Sequence, residues 1–233
     1  MRVDDPGVVE VEGPPSLDLP PEVVIAALSP VVTDARRKRI QEVVAGRTDD
    51  VVLVLDSITD PHNASAVLRS ADAFGIQTVH VIVGDHGFRA SDGVSKGTHR
   101  WLDVIRYESA ASCAARLSEN GYHLYVAAMG ADHTPADLPR EHKLALVFGN
   151  EHQGVSQEMA KLAHGSFSIP MRGFVESLNV SVAAAISMQN LAARGFEPMS
   201  RSRRQRLEAR FLMNSVRNAD TVIRQFLGND EPR

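Results

Sequence analysis

The chain has 233 residues, 43% hydrophobic and 23% charged, with a formal net charge of −4, enough to bury the core of one large soluble domain, with or without arms. No apolar run reaches the roughly 18 residues a bilayer span needs, and no basic-then-apolar leader opens the sequence, so a cytoplasmic protein away from membranes is expected. A single cysteine, Cys113, excludes an internal disulfide framework and a multi-cysteine metal site, and no metal is expected.

Residues 1–30 read as an acidic, proline-rich arm, extended or partly disordered. Residues 1–22 hold six acidic residues and only Arg2 against them. Thr33 to Ala45 reads as a helix, with Thr33 or Asp34 as cap, Ile40, Val43 and Val44 as apolar stripe, and Gly46 as stop. Its outer face carries Arg36, Arg37, Lys38 and Arg39. From Val51 the pattern changes to short β-branched runs alternating with helical stretches. Strands are expected at Val51–Leu55, Thr78–Val83, Leu102–Tyr107, His123–Ala128, Leu144–Phe148 and Ser166–Ile169. Helices are expected at Pro61–Phe74, Ala110–Asn120, Ser156–Ala163 and Val180–Arg194. This alternation predicts an α/β domain over 31–197, a mainly parallel sheet with helices on both faces. The last of these helices is apolar or small almost all round, which predicts burial on all sides. A basic helical extension follows over 198–233, read as one helix from about Ser200 to Leu227. Residues 201–224 carry seven arginines against Glu208 and Asp220. That asymmetry points to a polyanionic partner more than the net charge does, and Arg is the better fork for phosphate.

In a parallel α/β sheet ligands bind outside the carboxyl ends of the strands, and three loops there stand out. Asp56-Ser57-Ile58-Thr59-Asp60-Pro61-His62-Asn63 leads into a helix with Asp60 as cap and Pro61 in its first turn. Gly149-Asn150-Glu151-His152-Gln153-Gly154 holds two glycines and one carboxylate. The third runs from Ile169-Pro170 through Glu176-Ser177-Leu178-Asn179 to a helix N-terminus. On residue grounds alone each has a plain structural alternative. Arg69, opposite the apolar stripe of its helix, suits a solvated surface. The Glu151 loop could be a helix entry capped by Ser156, and Ser177 or Asn179 could be an ordinary N-cap. The basic run could be a solvated face.

Together the three blocks resemble the SpoU/TrmH family of RNA ribose 2′-O-methyltransferases, within the SPOUT class. The first motif is matched by Asn63-Ala64-Ser65-Ala66-Val67-Leu68-Arg69. The second is matched by Phe148-Gly149-Asn150-Glu151-His152-Gln153-Gly154-Val155. The third is matched by Ile169-Pro170-Met171 and Glu176-Ser177-Leu178-Asn179-Val180-Ser181. The likeness spans roughly Thr33 to Arg194. Ser95-Lys96-Gly97-Thr98-His99-Arg100-Trp101-Leu102 and the basic ends look most like the tRNA branch, which methylates the D-loop guanosine at position 18. The acidic first 30 residues depart from the family's short N-terminus.

The resemblance implies a deep trefoil knot, S-adenosyl-L-methionine (AdoMet) as methyl donor, a homodimer and a tRNA substrate. It implies catalytic roles for Asn63, Arg69, Glu151, Ser177 and Asn179, and a cofactor pocket lined by Ala128, Gly149, Ile169, Met171 and Leu178. Arg36, Arg37, Arg39, Arg201, Arg203 and Arg204 would contact the RNA backbone. The absence of a Gly-x-Gly-x-x-Gly after the first strand agrees with a site other than the ordinary dinucleotide fold. His62 and His152 stand beside the motifs, but the family pattern does not require them. Two other readings stay open: action on ribosomal RNA, and a knotted RNA-binding protein without catalysis.

Overall fold

Six residues with no polar side chain before the last, Val-Val-Leu-Val-Leu-Asp, can satisfy their backbone only in the middle of a sheet. In the computed structural model, whose described residues are 8–12, 19–83, 98–131 and 133–229, this stretch is strand β2 (Val51–Asp56), buried at every position. Ser95, Lys96 and Gly97, which open the stretch resembling the tRNA branch, lie outside the described residues. Strand β1 (Val8–Glu12) is followed by β2, β3 (Thr78–Ile82), β4 (Asp103–Tyr107), β5 (Tyr122–Ala127), β6 (Lys143–Phe148) and β7 (Gly165–Phe167). The sheet order is β1-β4-β3-β2-β6-β5-β7. Every pairing from β4 across to β7 is parallel, and β1 adds to β4 antiparallel. The expected strands all form, shifted by a residue or two at their ends.

Alternate residues of β2 feed two cores. Leu53 and Leu55 join Ala64, Val67, Leu68 and Ala71 of α3 (Pro61–Ala73) and Ala184, Met188 and Leu191 of α6 (Val180–Ala193). Val52 and Val54 join Cys113, Ala114 and Leu117 of α4 (Ala110–Glu119) and Met159 of α5 (Gln157–Leu162). The sheet is thus covered on both faces, as the alternation predicted. Two buried groups answer to that covering. His80 hydrogen-bonds the Tyr107 hydroxyl at 3.0 Å, and burial depresses its imidazole to about 3. Burial likewise pushes the Cys113 thiol up.

One expectation fails for α6. Its buried face is Val180, Ala184, Ser187, Met188 and Leu191, but Val182 is 45% exposed and Ala185, Ile186 and Gln189 on the same side are not buried. An all-apolar helix reads as buried all round only if something covers both faces, and the chain itself covers one.

The chain falls into two compact units, 1–13 with 48–197 and 14–47 with 198–233. The boundaries read from sequence, 1–30, 31–197 and 198–233, cut the chain differently. Within the stretch read as an arm, β1 and helix α1 (Pro21–Leu28) are formed, α1 burying Val24, Ala27 and Leu28. In the second unit α7 (Arg201–Ser215) packs against α1 and α2 (Asp34–Ala45), and α8 (Ala219–Asn229) against α1 and α7. Thr33 caps α2 by accepting from the Arg36 N–H, and Gly46 ends it. The single C-terminal helix of the sequence reading is two: Val216 is extended and Asn218 takes a positive φ of 57°, a conformation Asn tolerates better than most residues. The two chain ends therefore build one helical body, held by Leu207, Phe211 and Leu212 with Ile40 and Val44. Arg47, buried within it, lies over the Phe211 ring at 5.8 Å.

Candidate active site

The carboxyl end of β2 is where the polar residues gather. Asp56, buried at 1% exposure, accepts the Ser156 N–H at 2.8 Å and the Ser57 hydroxyl at 3.2 Å. A carboxylate in that position fixes the amino end of α5 through its charge and an N–H group. Ser57 follows with φ of 57°, turning the chain sharply so that its carbonyl accepts the Asn150 side-chain amide at 2.9 Å.

Asn150 ties the second loop to itself. Its backbone exchanges hydrogen bonds with Gly154 at 2.9 and 2.8 Å, and its side-chain oxygen accepts the N–H groups of His152 and Gln153 at 2.8 and 3.3 Å. Gly149 is obligatory here: a Cβ on it would stand 2.1 Å from the Gly154 carbonyl carbon and the Val155 nitrogen.

Asn63 then joins the loops. Its amide nitrogen donates to Glu151 Oε1 at 2.7 Å, and its oxygen accepts from Asn179 Nδ2 at 3.0 Å. Thr59 reaches the other Glu151 oxygen at 3.5 Å. Asn179 is also the N-cap of α6, its oxygen accepting the Ser181 N–H at 2.9 Å and hydroxyl at 2.6 Å. One hydrogen-bonded line, Glu151–Asn63–Asn179–Ser181, therefore crosses all three motifs. Sequence reasoning had each of the first three as site residues and left open whether Ser177 or Asn179 was the cap. It assigned no role to Asp56, Thr59 or Asn150. The signal for Asp56 was present: an acid ending an otherwise apolar central strand needs a buried donor.

Two expected residues stay outside this line. Arg69 is exposed, and its side chain makes no hydrogen bond or ion pair among the described residues. Six positions along α3 from Asn63, it is about 9 Å further along the axis and about 120° around it. Ser177 is exposed too. Of the residues expected to line a cofactor pocket, Ala128, Gly149 and Ile169 follow the carboxyl ends of the adjacent strands β5, β6 and β7. The segments after β5 and β7 are pinned together, Ala128 N–H to the Phe167 carbonyl at 3.0 Å and Ser168 N–H to the His133 carbonyl at 2.8 Å. Met171 and Leu178 lie in the third loop, Met171 being 38% exposed, and Met129 beside Ala128 is 72% exposed.

A cavity of about 520 Å³ opens elsewhere, at the amino ends of β2 and β6, lined by Asp50, Arg140, Lys143 and Arg194 among others. Its two arginines are occupied structurally. Arg140 donates to the carbonyls of Arg194 and Gly195 that end α6, and Arg194 donates to the Leu138 carbonyl. The polar loops lie at the other end of the strands, and their chemistry makes them the candidate site. Among the described residues no cluster of His, Cys, Asp or Glu could hold a metal ion.

Of the expected RNA-contacting side chains, Arg36 is tethered to the Ser215 hydroxyl at 3.2 and 3.1 Å. Arg37 pairs with Asp34 at 2.8 Å and Arg39 with Glu42 at 3.6 Å. Exposed pairs like these hold a side chain only weakly. Arg201 is exposed, while Arg203 and Arg204 are half-buried.

The chain is similar in sequence and fold to known proteins. Residues 50–189 match the model of the SpoU rRNA Methylase family. The tRNA (guanosine(18)-2′-O)-methyltransferase of Thermus thermophilus is 37% identical over 155 residues, 66% of this chain and 80% of that protein. The crystal structure of the A. aeolicus TrmH/SpoU tRNA modifying enzyme aligns with a TM-score of 0.60 at 25% identity, over 86% of this chain and 98% of that one. The SpoU methyltransferase AviRb of Streptomyces viridochromogenes, solved in complex with the cofactor AdoMet, aligns with a TM-score of 0.55 at 26% identity, over 61% and 59% of the two chains. With the family's match spanning both cores and all three joined loops, the chain belongs to the SpoU rRNA methylase family.

Proposed function

We propose that this protein transfers a methyl group from AdoMet to a ribose 2′-hydroxyl of tRNA, that of guanosine 18 in the D-loop. The observation that carries the reading is the Glu151–Asn63–Asn179 line, which assembles the three motif loops at the carboxyl ends of the strands. The named relatives supply the substrate class, and the basic helices α2 and α7 agree with a polyanion. A tRNA substrate would place the work in the cytoplasm.

The residues present fit the cofactor. Adenosine needs main-chain donors and acceptors with apolar surface, and Ala128, Gly149 and Ile169 just past the ends of neighbouring strands, with exposed methionines at 129 and 171 and Leu178 in the third loop, support such a pocket. When bound, AdoMet supplies an electrophilic methyl on a sulfonium. The chain must hold the ribose in line and help its hydroxyl lose a proton. A guanidinium stays protonated, so Arg69 serves by fixing a substrate phosphate and stabilising the developing alkoxide. Asn63 and Asn179 orient the ribose, Glu151 holds Asn63 in register, and Ser177 contacts substrate.

The hydrogen bonds from Ala128 to Phe167 and from Ser168 to His133 tie the segments after β5 and β7 to each other, which supports a knotted path. The outward face of α6, with Val182, Ala185, Ile186 and Gln189, supports a homodimer, and a second copy would supply the cover that face lacks. The basic helices at the two chain ends serve as RNA-contacting extensions through Arg36, Arg37, Arg39, Arg201, Arg203 and Arg204. Incubation with labelled AdoMet and tRNA transcripts, followed by mapping of the modified nucleotide, tests the function. Methylation of ribosomal RNA alone, or binding of RNA without transfer, would overturn it. Light scattering on a sizing column tests the dimer, and a monomer would remove it.

A further inference from the structure

Between β7 and α6, eight consecutive residues from Pro170 to Ser177 are exposed. Phe174 is the extreme, 108% exposed, with Val175 beside it at 65%. No side chain from Met171 to Ser177 makes a hydrogen bond or ion pair among the described residues, so none of those residues tethers the ring by a polar contact. Gly173 precedes it with ordinary φ and open space where a Cβ would sit. The fold does not require glycine there, and its missing side chain leaves one approach to the ring clear. Arg172 stands on the other side of that glycine. Asn179, five residues on and at most about 17 Å of chain away, is hydrogen-bonded into the site.

A ring left in water gives up the stabilisation that burial provides. An aromatic face flanked by a cation, next to a site that must isolate one ribose, matches the chemistry by which proteins take bases out of RNA stacks. A protein partner would need about 800 Å² from this surface, and one ring supplies only about 150–250 Å². Arg172, Glu176 and Ser177 make the surroundings polar. A single nucleobase is the occupant that fits.

Building on the methyltransferase reading above, we propose that Phe174 is a stacking platform for a nucleobase splayed out of the substrate RNA beside the methylated ribose, with Arg172 holding the adjoining phosphate. Phe174 selects RNA that can unstack at that point, and duplex RNA is refused.

The test uses the full chain and a tRNA transcript carrying 2-aminopurine at the methylated position or at either neighbour. Phe174→Ala is expected to raise the KM for tRNA about 10- to 100-fold and to abolish the fluorescence quenching seen with the wild-type protein at one of the three positions. Phe174→Trp is expected to stay within about threefold of wild type, because an indole stacks as well, and Phe174→Leu to behave like Phe174→Ala. AdoMet affinity and oligomeric state stay unchanged in all three. An unaltered KM in Phe174→Ala, full rescue by leucine, or conversion to a monomer would each overturn the platform, the last by assigning the ring to a second copy. Quenching by a wild-type protein that transfers no methyl group would keep the platform and overturn the methyltransferase reading. Transfer without quenching at any position would do the reverse.

Discussion

Replacing Asn63 by alanine tests the line that joins the motifs. The substitution removes a hydrogen bond to the Glu151 carboxylate at 2.7 Å and one from the Asn179 amide at 3.0 Å. A bond to a charged group is worth about 1.5–3 kcal/mol and a neutral one about 0.5–1.5 kcal/mol, so about 2–4.5 kcal/mol is at stake. Glu151 and Asn179 are both exposed, so water replaces much of what they lose, and the lower end, about 2 kcal/mol, is expected. For a chain of this size each kcal/mol moves Tm by roughly 2–4 °C, giving a fall of about 4–8 °C by circular dichroism. The stronger check is a double-mutant cycle. With Glu151→Ala already in place, Asn63→Ala should cost at least 1 kcal/mol less than it does alone, since the charged bond is gone before it is cut. Methyl transfer should fall in every variant, with the third loop losing its anchor. A Tm within about 1 °C of wild type, or strictly additive costs, would refute the reasoning: Asn63 would then not be coupling the loops.

Arg69→Ala should leave Tm nearly unchanged, because Arg69 is exposed, yet lower single-turnover methyl transfer by about two orders of magnitude; activity within threefold would remove it from the mechanism. Gly149→Ala must push a Cβ into backbone 2.1 Å away and should cost about 3 kcal/mol along with AdoMet affinity, so a normal calorimetric titration would refute the closed loop. Alanine at Arg201, Arg203 and Arg204 together should weaken tRNA binding and reduce the slope of log affinity against log salt by up to about 3, leaving the methylated nucleotide unchanged; an unaltered slope would refute the phosphate contacts. His80 is held down to about 3 by burial, against 6.5 for the free group. The unfolded chain therefore takes up that proton first, and stability falls as pH drops through the window between the two values. His80→Gln should flatten stability against pH there in urea melts, whereas parallel curves would remove His80 as the cause.

The sheet was legible because parallel strands buried on both faces must be continuous apolar runs, and the run at 51–55 has no other solution. Several helices were legible from their caps: Thr33, Asp60, Ser156 and Asn179 each accept an N–H in the structure, and Ser109 and Ser200 prove to do the same. Asn63, Glu151 and Asn179 could be named from motif resemblance, but their contact could not, since it joins residues 88 and 116 positions apart. The outward face of α6 was misread because composition shows that a surface is apolar and not what lies against it. The break at Val216–Asn218 was missed for a different reason. Neither glycine nor proline marks it, and an asparagine with positive φ leaves only a weak signal. Likewise the Val8–Glu12 strand lies in an acidic, proline-rich context that argues against a strand, and only its pairing with β4 makes it one.

The two borders of the sheet bear on how copies of this protein can meet. On one side β1 pairs with β4, its register broken between Val8 and Glu10; on the other, β7 offers only Gly165–Phe167. A bulged strand and a three-residue strand are poor templates for adding a further strand. Growth of the sheet from chain to chain, the usual start of fibrous aggregation, is blocked at both margins. Contact between copies would fall instead to side chains standing on a helix, such as the outward face of α6 with Val182.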